Sequence, residues 1–368
     1  MIHFVYRAPR HGGTIGKIFE KLAFAIGLPK GFPTPWRNGN HLPWRKPVRA
    51  PHSISFNLLR ELKKKDKVKF YDLYEKTICN LKYGDTLLCV PIQIFDGKIW
   101  NDKEIYRVAA RTLDAYKDRD DIQKIIILPY NSDPKYNLST NGIIEKYGEN
   151  LIIISGKIWT NTWGKSPIKN YVKNLLRVNM GINVEEYPIV KTKFNPKGKR
   201  KYLYIGHTGF YKNTMQMEAI AESIPGFEGG HIGSGTIKGW KKISDFADLN
   251  REFMTKIAEE YDIFINTSSA DASPTTILEA MCFGFAVACT PESSYDYDSI
   301  TKLHTTDVQF NIDNLNKLQY ADESELLERA KKNRQYAIDF HNWDKICAKI
   351  IDFIYNKLKN SSGLFLID

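Results

Sequence analysis

The stretch 269-SADASPTTILEAMCFG-284 places two carboxylates, Asp271 and Glu279, on either side of a helix-start signal. Two short apolar runs flank it, YDIFINT (261–267) and FAVACT (285–290). Short apolar runs bounded by polar residues are typical of buried strands, and two strands joined through a helix lie parallel. The stretch therefore predicts a β-α-β unit within an α/β fold.

Three residues mark the ends of the predicted helix. Ser273 is a favourable N-cap residue, and Pro274 suits the first helical position. Gly284 suits the left-handed position that commonly ends a helix. The spacing predicts a short helix over 274–283.

The start of this helix is a predicted anion site. The first amides of a helix have no intrahelical partner, so those of Thr275 and Thr276 face the carboxyl end of the preceding strand, where a diphosphate fits. Glu279 reaches past the helix start toward the hydroxyls of a ribose, and Asp271 can bond another polyol. The plain alternative makes Asp271 an ordinary loop carboxylate and Glu279 a solvated helix residue.

The alternation of apolar runs and amphipathic stretches extends along the chain; EIYRVAARTLDAYK (104–117), for example, has a helical pattern. Apolar strands separated by helices predict parallel sheets that are covered on both faces. We predict two Rossmann-like, doubly wound parallel-sheet domains that face a cleft, joined through a polar linker at 184–200. The predicted bounds are 1–190 for the first domain and 191–340 for the second, and the last helix (341–368) packs back on the first domain.

The positive charge of the chain is concentrated at its start. Residues 1–65 hold 13 Lys or Arg against two acids, Glu20 and Glu61, so 13 − 2 gives +11, the net charge of all 368 residues. A Pro- and Trp-rich insertion at 29–52 carries part of it and is predicted to bind the acceptor. Such a field attracts an acidic or phosphorylated acceptor, a membrane surface touched peripherally, or nucleic acid.

The remaining composition limits the class of protein. No apolar run is long enough to span a membrane, and the polar N-terminus does not resemble a signal peptide. The five cysteines show no CxxC pair, which is typical of free buried thiols in a reducing compartment. We expect a cytoplasmic protein, or one bound peripherally to a membrane surface.

Spaced motifs over 178–357 resemble one known family. The pattern Asp-x7-Glu followed by Ala-Met-x-x-Gly is similar to the Glu-x7-Glu motif of retaining GT-B glycosyltransferases, the glycogen-synthase-like group. The family's other landmarks follow in the same order in this chain, as VNMGINVEEYP (178–188), KYLYIGHTGFYKNT (201–214), HIGSG (231–235) and FHNWDKICAKIIDFIY (340–355). The resemblance implies the GT-B fold.

The resemblance implies roles for residues of the second domain. Glu279 bonds the nucleotide ribose, and Asp271, one methylene shorter than the family's Glu, contacts the donor sugar. The diphosphate is held by Lys212 and the amides of Thr275 and Thr276. The nucleotide lies near the glycines Gly206, Gly233 and Gly235. The candidate catalytic residues are Asp271, Lys212 and His207, and His207 stands where the family has an Arg.

The resemblance also implies an acceptor-side loop in the first domain. The segment RHGGTIG (10–16) matches the family's glycine-rich loop, with Gly12 and Gly13 facing the diphosphate and acceptor. His11 and His52 are the candidates for a general base in this domain.

The predicted activity is transfer of a sugar from a nucleoside diphosphate sugar to a hydroxyl of a cell-surface glycan or lipid-linked saccharide. The resemblance implies retention. Neither a metal nor a cofactor is expected, because helix amides and Lys212 supply the positive charge. Three alternatives stay open: a viral-type glycosyltransferase acting on modified DNA bases, a nucleotide-sugar epimerase of similar fold, and a non-catalytic binding module.

Overall fold

The chain divides into two compact units. The first comprises Met1–Ile154, Thr162–Val178 and Ile346–Asp368, and the second comprises Ser155–Asn161 and Asn179–Lys345. The divisions fall at 178/179 and 345/346, against the predicted 190/191 and 340/341. The structure is a computed structural model, and it describes residues 1–6, 50–72, 81–100, 103–109, 111–129, 138–156, 172–245, 249–359 and 366–367.

Strands and helices alternate along the described residues. The strands are β1 (Ile2–Tyr6), β2 (Val68–Asp72), β3 (Thr86–Cys89), β4 (Ile92–Trp100), β5 (Lys103–Ala109), β6 (Gln123–Pro129), β7 (Asn150–Ile154), β8 (Asn174–Val178), β9 (Tyr202–Ile205), β10 (Gly229–Ile232), β11 (Trp240–Ser244), β12 (Ile263–Asn266), β13 (Ala286–Cys289), β14 (Thr301–Lys302) and β15 (Leu366–Ile367). The helices are α1 (Ala50–Lys65), α2 (Arg111–Ala115), α3 (Leu138–Tyr147), α4 (Thr214–Ser223), α5 (Arg251–Glu260), α6 (Thr275–Phe283), α7 (Val308–Tyr320), α8 (Glu323–Phe340) and α9 (Trp343–Lys359).

Each unit is built on a parallel sheet. The first unit has seven strands in the order β15-β8-β7-β6-β3-β1-β2, and the second has six in the order β11-β10-β9-β12-β13-β14. The central strands are apolar throughout and buried on both faces, as in Leu151–Ile154 and Ile263–Ile265. Burial on both faces is what a parallel sheet covered by helices requires. The prediction of two doubly wound α/β domains is confirmed.

The helix predicted over 104–117 is wrong. Residues Lys103–Ala109 form strand β5, which pairs antiparallel with β4, and only Arg111–Ala115 are helical. The sequence at 104–108 contains the strand-favouring residues Ile105, Tyr106 and Val108, and the preceding run, IQIFDGKIW, offers it a partner strand. The helical periodicity over 104–117 is misleading because this range spans a strand and a short helix.

The segment predicted as a linker is packed against the second unit. The amides of Val190 and Lys191 both donate to the carbonyl of Phe283 at 3.0 Å, at the end of α6. The Lys191 ammonium lies 2.7 Å from the Asp262 carboxylate, and both side chains are almost completely buried. The segment is therefore part of the core of this unit.

A buried histidine joins two chain segments of the second unit. The His341 ring bonds through Nδ1 to the Met180 carbonyl at 2.7 Å and through Nε2 to the Tyr297 hydroxyl at 2.6 Å. The Ile182 amide donates to the His341 carbonyl at 2.6 Å, and the Trp343 ring packs where a Cβ on Gly181 would lie. Since a carbonyl only accepts, Nδ1 carries the proton and Nε2 accepts from the tyrosine.

This histidine predicts a loss of stability in mild acid. Burial lowers the pKa of His341 from 6.5 to about 4. A histidine whose folded pKa is depressed is protonated first in the unfolded chain, so stability is complete above about pH 6.5 and falls as the pH drops toward 4. A shift of this size corresponds to roughly 3 kcal/mol at full development. Urea unfolding of wild type and His341→Asn between pH 7 and 4.5 measures it, because the variant lacks this component.

The exposed His304 provides the control. A His304→Gln variant should keep the acid-dependent loss, because it leaves the buried contacts of His341 in place. If wild type and His341→Asn lose stability in parallel over this pH range, the ring of His341 is not the group responsible.

Candidate functional site

The strand order of the second unit locates the candidate site. The chain moves from β9 to β10 and β11 on one side, and from β12 to β13 and β14 on the other. Neighbouring strands whose connections run in opposite directions leave a crevice at their carboxyl ends, and ligands of such sheets bind there. In this unit the crevice lies between the loops that follow β9 and β12.

Lys212 and Asp271 meet at this crevice. Lys212 is in the loop after β9 and Asp271 in the loop after β12, and their charged groups form an ion pair. The side chains are only 12% and 18% exposed. The Ser269 amide donates to the Tyr211 carbonyl at 2.9 Å and fixes the two loops together. The structure thus brings together two residues that are 59 positions apart in sequence.

Backbone strain is concentrated around the same crevice. Among the described residues, the non-glycine residues with positive φ are Asn213 (54°), Ser273 (73°) and Ser294 (65°). They follow β9, β12 and β13 respectively, at the carboxyl edge of the sheet. Such conformations cost of order 1–3 kcal/mol each and cluster at binding sites. Asn213 is held by its side chain, whose Nδ2 donates to the carbonyls of Thr267 (3.1 Å) and Thr305 (2.8 Å).

Helix α6 begins one residue later than an N-capping Ser273 requires. Ser273 adopts the left-handed region, whereas an N-cap residue takes extended φ and ψ, so the N-cap is Pro274. The helix is observed over Thr275–Phe283, against the predicted 274–283, and the left-handed Gly284 (φ 94°) is confirmed. The Ser273 cap and the placement of Pro274 at the first helical position are wrong, because Pro274 is extended and is itself the N-cap. Because no side chain caps the helix, the amides of Thr275 and Thr276 are left for a ligand or solvent. The Tyr295 hydroxyl supports the turn by donating to the Pro274 carbonyl at 3.1 Å.

Buried hydroxyls lie beside the start of α6. The oxygens of Ser268 and Ser273 are buried and have no hydrogen-bond partner among the described residues, and that of Ser294 is likewise unpartnered. Gly156 packs so closely here that a Cβ on it would lie 1.8 Å from Cβ of Ser294 and 2.9 Å from Oγ of Ser273. Buried polar atoms normally have partners, so this group of hydroxyls favours a polar ligand or water at the helix start.

Glu279 is half-buried on α6 and is held by a tyrosine. The Tyr187 hydroxyl donates to its carboxylate, and burial together with this negative charge raises the pKa of Tyr187, which keeps the donor protonated. Two contacts fix Tyr187. Its ring packs edge to face on the Phe283 ring, with centroids 5.4 Å apart, and its carbonyl accepts from the Arg334 guanidinium at 2.6 Å. The segment before β9 therefore brings a hydroxyl donor to the Glu279 carboxylate.

Gly233 and Gly235, in the loop after β10, pack against Gly206 and Thr208 in the loop after β9. A Cβ on Gly233 (φ 144°) would lie 1.8 Å from the Gly206 carbonyl oxygen, and one on Gly235 (φ 88°) would lie 1.9 Å from Oγ1 of Thr208. Lys242 donates to the carbonyl of Gly235 at 2.5 Å and to that of Gly233, which holds the loop after β10 in place. Only glycine fits these positions, because the loop after β10 packs directly on the loop after β9.

His207 lies in the same loop as Lys212 and is exposed. Burial of its ring and the charge of Lys212 lower its pKa, against the opposing effect of Asp271. Its ring contacts Tyr211, a residue that the sequence analysis did not select. This shift favours the uncharged form of the ring in the ligand-free protein.

The acceptor-side candidates are not located by the structure. His11, Gly12 and Gly13 lie outside the described residues, and so does the insertion at 29–52 except for the start of α1. His52 lies within α1, but its side chain is outside the described part. Sequence reasoning missed Tyr187, Tyr211, Ser273 and Ser294 as site residues, and only the proximity of Tyr211 to Lys212 gave a signal.

Neither a membrane-spanning helix nor a cluster of metal ligands occurs in the described ranges. No helix there is long and apolar enough to cross a bilayer. No group of three or more His, Cys, Asp or Glu side chains within those ranges is arranged to hold a metal ion.

Comparison with known proteins identifies the fold. No family profile and no curated protein sequence matches the chain. Sucrose-phosphate synthase from Thermosynechococcus elongatus matches in structure with a TM-score of 0.58 at 11% identity, over 98% of this chain and 99% of that one. TarM of S. aureus matches with a TM-score of 0.53 at 12% identity, over 73% of this chain and 54% of TarM.

A further match is a trehalose-6-phosphate synthase studied for glycosyl transfer with retention. Its TM-score is 0.52 at 10% identity, over 84% of this chain and 80% of that one. This chain spans little more than half the length of TarM, whereas it covers nearly all of the sucrose-phosphate synthase. The chain has the GT-B fold that these enzymes share.

Proposed function

We propose that the protein is a glycosyltransferase that moves a sugar from a nucleoside diphosphate sugar to an acceptor hydroxyl, with retention and without a metal ion. The observation that carries this proposal is the Lys212–Asp271 pair at the crevice, beside the uncapped start of α6. A cation, a row of helix amides and a carboxylate at one point suit a ligand that joins a diphosphate to a polyol. The fold supports the same reading, since TarM was solved with UDP in one of its complexes.

The proposed reaction breaks the bond from the anomeric carbon to the diphosphate oxygen and forms a bond to the acceptor oxygen, whose proton is released. Negative charge develops on the departing diphosphate. Lys212 and the amides of Thr275 and Thr276 stabilise that charge electrostatically. Asp271 holds hydroxyls of the donor sugar, and Glu279, oriented by Tyr187, holds the ribose.

The proposed acceptor is a cell-surface glycan or a lipid-linked saccharide. Its support is the charge of residues 1–65, which equals the net charge of +11 of the whole chain. A basic surface of this kind attracts phosphorylated saccharides and anionic membranes. We propose that the protein acts in the cytoplasm, in peripheral contact with a membrane surface.

A thermal-shift screen with UDP, GDP, ADP and dTDP tests the function. A ligand present at 100 times its Kd stabilises the folded state by about 2.7 kcal/mol, which raises the Tm of a unit of about 170 residues, the size of the second unit, by roughly 5–10 °C. One of the four should give such a shift, and Glu279→Ala should reduce it. A Glu325→Ala variant is the matched control, because Glu325 pairs with Arg329 on the exposed face of α8.

The contradicting result is equally specific. If no nucleoside diphosphate changes Tm at millimolar concentration, the crevice does not bind a nucleotide and the proposed activity is wrong. If one binds but turnover of the matching sugar donor yields only its epimer without an acceptor, the epimerase alternative replaces the transferase.

A further inference from the structure

The loop after β9 carries a hydrogen-bonded pair of rings beside the Lys212–Asp271 pair. His207 Nε2 and the Tyr211 hydroxyl are 3.0 Å apart, and the two rings meet edge to face with centroids 5.4 Å apart. The Lys212 ammonium lies 5.5 Å from the centroid of the Tyr211 ring. The Tyr211 backbone is fixed as well, since its carbonyl accepts from the Ser269 amide at 2.9 Å.

The hydrogen bonds fix the proton of the histidine. The Gly209 amide donates to Nδ1 of His207 at 3.0 Å, so Nδ1 presents its lone pair and the proton of the neutral ring is on Nε2. Nε2 therefore donates to the Tyr211 oxygen. Burial and the charge of Lys212 lower the pKa of His207, which favours this neutral form.

The proton of the tyrosine is consequently directed elsewhere. The Tyr211 oxygen accepts from His207, and among the described residues its hydroxyl proton has no acceptor. Burial and the charge of Asp271 raise the pKa of Tyr211, so the hydroxyl is a donor at neutral pH. The side chain is 43% exposed and stands on the loop that lines the crevice. It is an oriented donor without an internal acceptor.

We propose that the Tyr211 hydroxyl donates a hydrogen bond to the diphosphate of the sugar donor, and that His207 acts as the positioning residue that orients it. This inference rests on the proposed function, because it adds a contact to the same site. The loop would then present two groups to the leaving diphosphate, the Lys212 ammonium and the neutral Tyr211 hydroxyl. His207 supplies no charge of its own and acts only through Tyr211.

Loss of the Tyr211 hydroxyl should weaken the binding of nucleoside diphosphates more than that of monophosphates. The probes are UDP, GDP, ADP and dTDP with the corresponding monophosphates, and titration calorimetry on the full chain measures each Kd. Tyr211→Phe removes only the hydroxyl, and it should weaken binding of the preferred diphosphate about tenfold, the effect of one hydrogen bond to a charged group. Binding of the monophosphate should change less than twofold. Tyr83→Phe, at an 87% exposed tyrosine of the first unit, is the matched control.

Variants of the histidine test the positioning role. His207→Ala should weaken diphosphate binding about threefold in the wild-type background and have no effect in the Tyr211→Phe background, because a residue that acts through another shows full coupling in a double-mutant cycle. His207→Gln keeps an N–H donor and should restore most of the affinity. A histidine that merely stabilises the loop would weaken binding in both backgrounds.

The outcomes separate this inference from the proposed function. If Lys212→Met weakens diphosphate binding while Tyr211→Phe binds like wild type, the Tyr211 contact is refuted and the nucleotide site stands. If the wild-type chain binds none of the diphosphates, both proposals fall. If Tyr211→Phe weakens the monophosphate as strongly as the diphosphate, the hydroxyl does not contact the diphosphate and the inference is refuted.

Discussion

Lys212→Met lowers the rate of sugar transfer about 100- to 1,000-fold, the effect expected when one preorganised group that stabilises developing negative charge is removed. The Lys212 side chain is 12% exposed and its ammonium pairs with Asp271, so its position is fixed before the donor binds. Its attraction to the diphosphate grows as the bond to the sugar breaks and charge accumulates on oxygen. The loss should therefore fall mainly on kcat, with a smaller rise in KM for the donor.

Steady-state kinetics with the donor identified in the nucleotide screen measure this loss. Lys238→Met is the matched control, because Lys238 is 75% exposed and pairs with Glu222 on the surface of the same unit. The control should keep its activity within about twofold, since exposed ion pairs contribute little. Transfer by Lys212→Met at the wild-type rate would remove Lys212 from the chemistry and leave the crevice without its cation.

The part of this site that the sequence predicts is the part encoded locally. Pro274 and Gly284 bound α6 because their backbone preferences are intrinsic, and the apolar runs on both sides specify buried parallel strands. Given a parallel sheet, residues after different strands share one edge, so the meeting of Lys212 and Asp271 follows from topology. Lys212 and Asp271 could therefore be placed at the same edge of the sheet without knowledge of the contact between them.

Contacts made by tertiary packing could not be read in the same way. Ser273 has the residue type of an N-cap, but the turn from Asp271 places it in the left-handed region and moves the cap to Pro274. Tyr187 comes from the polar segment before β9, and only the docking of that segment brings its hydroxyl to Glu279. The error at 104–117 has the same origin, because pairing with β4 overrides local helix propensity.

Lys191→Met should destabilise the second unit by about 3–5 kcal/mol, the usual effect of breaking a buried ion pair by removing one partner. The Lys191 and Asp262 side chains are 2% and 0% exposed, and the ammonium also donates to the Ala258 carbonyl at 2.7 Å. Burial lowers the pKa of Lys191, and Asp262 opposes that shift. Methionine has a similar length but no charge, so it leaves the carboxylate of Asp262 buried without a counter-ion.

Asp262 also accepts three hydrogen bonds that survive the substitution. They come from the Asn195 amide (2.9 Å), the Asn195 side chain (2.9 Å) and the Lys201 amide (3.0 Å). A second substitution, Asp262→Asn in the Lys191→Met background, removes the uncompensated charge and keeps one acceptor oxygen. The double variant should therefore recover part of the stability, and full recovery is not expected because an amide cannot accept all three bonds.

Urea unfolding followed by circular dichroism measures these differences. Lys256→Met is the control, since Lys256 pairs with Glu252 on the exposed face of α5 and should change stability by less than about 0.5 kcal/mol. Equal stability of Lys191→Met and wild type would mean that the Asp262 carboxylate is satisfied without its ion pair.

The two lysines should also separate folding from activity. Asp262 directly precedes β12, and it accepts from the amide of Lys201, which directly precedes β9. The buried Lys191–Asp262 pair therefore lies at the amino edge of the sheet, opposite the crevice. Lys191→Met should unfold at a lower urea concentration and, while folded, bind the nucleotide with the wild-type Kd. Lys212→Met should unfold at the wild-type urea concentration and bind the nucleotide more weakly. Lys212 pairs at the opposite edge, where the loops after the same two strands carry the charge for ligand binding. A Lys191→Met protein that stays folded but has lost nucleotide affinity would show that the two edges of the sheet are coupled.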